Sequence, residues 1–262
     1  MTSVRTSQRN FVGISALLFA VSTALTVAWC GSMSAMHDMP MPGGWNMSMM
    51  WMRMPGQSWP GTAMAFLSMW QVMMVAMMLP SLVPMLWRYR QSIGTNGMHR
   101  AVLTAMVGGG YFAVWTLFGA LAFFVGTTVA QFEMQSPSLA RTVPVAIGAV
   151  VSLAGALQFT AWKAHHLACC RTTPQCCHAL RADLRTALHH GVRLGVHCMH
   201  CCFGLTMVLL AIGVMDLRAM AVVTAAISAE RLAPAGERVA RATGAMMIAG
   251  GLILVVRAVL PE

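Results

Sequence analysis

Charge is what this sequence has least of. Only 9% of its 262 residues are Asp, Glu, Lys or Arg, and just seven of those are carboxylates. Acids so few and so scattered exclude a paired-carboxylate mechanism. Asp216 and Glu230 alone fall near membrane level, where an acid would serve an ion or proton path. A Gly-rich phosphate loop is also missing, because Gly108, Gly109 and Gly110 lie inside an apolar run and read as close helix packing. ATP-driven pumping within this chain is therefore not expected. No Gly/Ser linker or periodic repeat divides the chain. No soluble basic module with interleaved aromatics exists either, so the net charge of +10 is not the footprint of nucleic acid binding.

What fills the space is apolar. Residues of the hydrophobic set make up 58% of the chain, more than one globular core can bury. Several uncharged runs reach the roughly 20 residues that a helix needs to cross a bilayer. They lie at about 11–31, 61–87, 101–130, 143–162, 196–214, 219–232 and 239–260. The expectation is an all-α, polytopic transmembrane helix bundle of about seven helices, or six if the short 219–232 run is a tilted half-span. Residues 1–31 read as an uncleaved signal anchor, 32–60 as an external loop, and 61–262 as the membrane domain, with a cytoplasmic Cys/His-rich loop at 163–195. With the amino terminus in the cytoplasm, thirteen of the seventeen Lys and Arg residues fall inside, the bias of a bacterial inner-membrane protein.

Methionine is the compositional surplus, at 26 residues. Nine lie in the external loop, where Met36, His37, Met39 and Met41 follow Met33 in a Met-x-x-Met-His-Asp-Met-x-Met run, with Trp45, Trp51 and Trp59 further on. A thioether is a soft donor that selects Cu(I) over harder ions, and a flexible loop of this composition can wrap such an ion. The competing reading is an interfacial segment among lipid headgroups. In the second span Met73 and Met77 continue a row from Met69, and Met74 and Met78 form the row beside it, giving one methionine face. It serves either as a path for the ion or as adaptable packing. Pro80 and Pro84 follow and free the carbonyls of Ala76 and Pro80, which points the kink toward the bundle interior.

Cysteine and histidine cluster in two places. The run His197, Cys198, Met199, His200, Cys201, Cys202 places three thiols, two imidazoles and a thioether within six residues at helical spacing, so that neighbours converge on adjoining faces. Nearby cations such as Arg193 would favour the thiolate that binds metal. Upstream, His166, Cys169 and Cys170, with His165, have ligand spacing and precede Cys176, Cys177 and His178. In reducing cytosol these are free thiols or metal ligands, and tetrahedral Zn(II) competes there with Cu(I). Cys30, at the outer end of the first span, has no obvious partner.

These residues resemble a prokaryotic family of unknown function described as predicted metal-binding integral membrane proteins. The stretch Trp70 to Ser81 with Pro84 and Met85 is similar to its second-helix signature. Gln158, Lys163, Cys170, Arg171 and Pro174 resemble its central motif. Cys198, Cys201 and Cys202, then Gly213 to Asp216, Met220, Glu230 and Arg231, resemble its third. His166 stands where the family has a cysteine and Cys169 where it has a histidine, an exchange that keeps ligating capacity. His200 and Phe203 replace a glycine and a tryptophan. The resemblance implies metal handling in a membrane.

The leading expectation is a membrane-embedded Cu(I)-binding protein that transports copper or delivers it to a membrane enzyme, with a metal carrier as partner. The alternatives are a membrane oxidoreductase using copper or vicinal thiols, and an assembly subunit held by zinc.

Overall fold

The computed structural model describes residues 2–34, 39–42, 44–53, 56–93, 97–172 and 183–260. Those residues form eight α-helices and one small hairpin: α1 Thr2–Ser34, β1 Met39–Met41, β2 Trp45–Met47, α2 Trp59–Ser92, α3 Gly97–Gln135, α4 Pro137–Leu157, α5 Ala161–Thr172, α6 Leu184–Ile212, α7 Leu217–Leu232 and α8 Gly236–Val259. Helix boundaries follow local chemistry. Ser58 accepts from the Gly61 amide ahead of α2, Pro137 opens α4 immediately after α3, and Gly213 ends α6 at a φ of 138°, which favours glycine.

Six of the helices, α1, α2, α3, α4, α6 and α8, are long and apolar enough to cross a membrane. The all-α bundle expected from the apolar runs is what forms, with the lower of the two span counts. Helix α7 has 16 residues and spans about 24 Å, too short for that class. It nonetheless joins the two ends of the bundle. At one end Met215 meets Cys30 of α1, and at the other Glu230 meets Lys163 of α5.

Apolar side chains face outward as well as inward. Leu17 and Leu18 on α1, Leu117 and Phe124 on α3, Leu153 on α4, and Leu252 and Ile253 on α8 are all exposed. Surface of this kind suits lipid better than water.

Helix contacts depend on small residues. At the α3–α6 contact a side chain at Gly110 would meet the Leu188 carbonyl at 2.6 Å, one at Gly195 would meet the Tyr111 carbonyl at 2.8 Å, and one at Gly191 would collide with the Val107 carbonyl. Of the three consecutive glycines only Gly110 packs this way, since Gly108 and Gly109 face open space. Helices α4 and α8 meet through Gly148 with Gly251 and Gly155 with Gly244. Close backbone approach through glycine is the usual way apolar helices associate in lipid.

Candidate metal centre

The methionine face of α2 turns inward. Met69, Met73, Met74, Met77 and Met78 are all buried, and they share one hydrophobic cluster with Trp70, Tyr111, Cys198, Cys201, Cys202 and Cys170. Met50, beyond the hairpin, belongs to the same cluster. Sulfur therefore lines the interior from the hairpin end of the bundle to the α5 end.

The six-residue run on α6 divides between two faces. Cys198, Cys201 and Cys202 point into the core and are no more than 1% exposed, whereas His197 and His200 are half-buried on the side facing α5. Cys198 Sγ and Cys202 Sγ stand 3.9 Å apart. Ligands arranged trigonally on metal–sulfur bonds of about 2.3 Å would lie about 4 Å apart, so this pair has the spacing of such a site. Cys170 of α5 lies beside Cys201 across the helix contact, in the same buried cluster. The neighbouring Cys201 sulfur, followed by burial, holds the Cys170 thiol well above its ordinary value.

Two cations are buried with these thiols. The Arg231 guanidinium donates from Nη1 to Cys198 Sγ at 3.1 Å and to Ser81 Oγ at 2.8 Å, and from Nη2 to Met85 Sδ at 3.1 Å. Its Nε is buried without an acceptor among the described residues. Lys163 donates to the Cys201 carbonyl and to Glu230 Oε2, both at 2.6 Å. Burial pulls the Lys163 ammonium down, but Cys201 and Glu230 outweigh it and leave its pKa above the usual lysine value. Gln158 Nε2 completes the Glu230 carboxylate at 3.0 Å. Glu230 thus pairs with Lys163 rather than with its chain neighbour Arg231. The cation bonded to a thiol is Arg231, and Arg193 is exposed. Tyr111 Oη lies 2.9 Å from Cys198 Sγ.

The imidazoles gather separately. His166 Nδ1 lies 3.4 Å from His197 Nδ1, and the His166 and His200 rings stack at 4.9 Å with Trp162 against both. His200 donates Nδ1–H to the Val196 carbonyl at 2.8 Å, which leaves its Nε2 lone pair free. Burial, followed by the His200, His197 and His165 rings, holds His166 below the ordinary imidazole pKa, so it is neutral at physiological pH. Cys169 turns outward to His165 at 3.7 Å. The helical pair His166 and Cys170 is thus divided between the imidazole group and the thiol group. Among the described residues no three His, Cys, Asp or Glu side chains enclose an ion as they lie.

The remaining candidates lie elsewhere. Met36 and His37 fall outside the described residues, as do Cys176, Cys177 and His178. Met39 and Met41 sit in β1, opposite Met47 and Trp45. Where described, the segment expected to be an external loop is a hairpin packed on the bundle: Trp45 donates to the Ala140 carbonyl at 2.8 Å and Met47 is buried. Cys30, expected to stand alone, meets Met215 Sδ at 3.7 Å. Asp216 caps α7, its carboxylate accepting from the Arg218 and Ala219 amides at 2.7 and 3.1 Å.

Reading the residues alone passed over Ser81, Tyr111 and Met85 as parts of the site. Ser81 and Met85 were within reach, since both belong to motifs quoted for the family resemblance. Tyr111 carried a different signal, as one of only two tyrosines in the chain and set inside an apolar span.

Residues 67–254 match a protein-family model described as PpoB2, copper chaperone. No curated protein and no solved structure matches the chain. The match takes in every buried group of the thiol centre, from Met69 to Arg231, and makes copper the metal of the family.

Proposed function

The chain belongs to the PpoB2 copper chaperone family, and from that premise we propose that it is a membrane-embedded Cu(I) chaperone whose metal centre is the thiol group Cys198, Cys201, Cys202 and Cys170. The α2 methionines Met73, Met74, Met77 and Met78 extend that centre as a thioether-lined path. Met36, His37, Met39 and Met41 are its capture end, and a membrane copper enzyme is the recipient. The chain lies in the bacterial inner membrane with its amino terminus in the cytoplasm, as the charge bias favours.

The observation that carries the reading is the burial of three thiols beside two cations. A thiolate–copper centre is anionic, and an unpaired anion in an apolar core is very costly. Lys163, Arg231 and Glu230 together leave one positive charge uncompensated among the buried groups. A two-thiolate Cu(I) centre, with one negative charge, cancels it. Soft sulfur and a low coordination number suit Cu(I) better than Zn(II), which prefers four ligands. The half-buried His166, His197 and His200 form a neighbouring nitrogen set. Their chemistry favours a borderline ion, and zinc is the alternative occupant there.

Metal analysis of the detergent-purified protein tests the reading. Reconstitution with Cu(I) should give stoichiometric copper, and a Cys198→Ser/Cys201→Ser/Cys202→Ser variant should lose it. Undiminished copper in that variant would move the site elsewhere.

A further inference from the structure

Beside the thiol centre a pocket of about 150 Å³ opens at the α5 end of the bundle. Its wall carries three guanidinium groups, Arg88, Arg171 and Arg231, together with Ser81 and the sulfur-bearing Met85 and Cys170. None of the described residues that line it is an acid. Glu230, whose chain neighbour Arg231 lines the pocket, is taken up by Lys163 and Gln158, and Glu237 is paired with Arg241. Arg171 is held by the carbonyls of Glu230, Ala233 and Pro234, at 3.1, 2.5 and 2.9 Å, and among the described residues no carboxylate forms an ion pair with it. Arg231 is 6% exposed and keeps a buried Nε without an acceptor among the described residues. Arg88 is exposed at the mouth. At the inner wall Cys170 touches Cys201, so the pocket is continuous with the proposed copper centre.

A free copper cation is repelled by such a wall, whereas an anion is drawn to it. We infer that this pocket is the port by which copper enters or leaves, and that it takes the metal as an anionic Cu(I) bis-thiolate complex rather than as a free cation. The inference rests on the Cu(I) reading above and adds the chemical form of the cargo. Exchange at the port needs no redox partner. The Cys170 sulfur forms a bond to copper as one carrier sulfur departs, and the Cys170 proton goes to that departing thiolate. Copper stays Cu(I), and the complex keeps one negative charge. In a second exchange the Cys201 sulfur bonds to copper as the other carrier sulfur departs, and the Cys201 proton goes to that departing thiolate, releasing the second carrier thiol.

The test compares loading rates of the purified full chain from three donors at low ionic strength: the Cu(I)–glutathione complex, a Cu(I)-loaded Cys-x-x-Cys peptide of net negative charge, and the cationic Cu(I)–acetonitrile complex. For the wild type, added salt should slow loading from the anionic donors and speed it from the cation. Charge reversal by Arg88→Glu should slow the anionic donors by about tenfold and speed the cation, with Arg88→Gln intermediate. Steering of glutathione alone assigns a small thiol as the source, and steering of the peptide assigns a carrier protein. Equal effects on anionic and cationic donors, or no effect of salt or of Arg88, would overturn the inference while leaving the Cu(I) site standing. Failure of every donor to load the wild type would defeat both.

Discussion

Arg231 is held by a hydroxyl, a thiol and a thioether, an unusual set of partners for a buried guanidinium. Breaking a buried charge pair by removing one member typically costs about 3–5 kcal/mol, because the other charge is left unsolvated. Arg231→Met should therefore weaken Cu(I) binding by at least a hundredfold, read by competition with a chromogenic Cu(I) chelator, and an unchanged affinity would show that the guanidinium does not balance the centre. His166 makes a prediction of a different kind. Its folded pKa is depressed, so its contribution to stability is intact above about 6.5, the ordinary imidazole value. That contribution is lost as pH falls through the lower folded value. In an NMR titration the His166 ring should show a midpoint below 6.5, and a midpoint at or above it would mean the ring is not enclosed by its neighbours as described.

At the level of elements, α3 and α6 touch backbone to backbone, and α4 and α8 do the same. Gly191→Ala puts a methyl group into the Val107 carbonyl. It should cost about 1–3 kcal/mol, the range for overpacking, seen as a lower unfolding midpoint in detergent. A midpoint equal to that of wild type would deny the close approach. The same interfaces show what the sequence could convey and what it could not. Long apolar runs foretell helices because only length and hydropathy are needed, and the methionine face of α2 followed from a four-residue period alone. Which glycine of Gly108, Gly109 and Gly110 meets a partner depends on the rotation of α3 against α6, and one chain's spacing does not fix that rotation. The α6 run was legible only in part, for a related reason. Helical spacing told which of its side chains adjoin, but not that α5 would draw His197 and His200 to one side while the core took Cys198, Cys201 and Cys202. Glu230 and Arg231 are chain neighbours, yet they are not each other's partners. On a helix, adjacent residues diverge by about 100°, and each found its own counterpart in another element.

For the whole molecule, sulfur and charge occupy complementary places. Buried thioethers run along α2, buried thiols lie on α6, and two cations with one carboxylate close the α5 end. Three motifs far apart in the chain meet there: Ser81 and Met85 from one, Gln158, Lys163 and Cys170 from another, and Cys198, Cys201, Cys202, Glu230 and Arg231 from the third. Such convergence gives a reason for residues that neither apolar packing nor helix formation requires. The most direct measurement of the central claim is X-ray absorption at the copper edge of the Cu(I)-loaded protein. The account predicts an all-sulfur first shell of two or three ligands, retained in a His197→Ala/His200→Ala variant and abolished by Cys198→Ser/Cys201→Ser/Cys202→Ser. A first shell of nitrogen or oxygen, or a spectrum unaltered by loss of the three thiols, would contradict it.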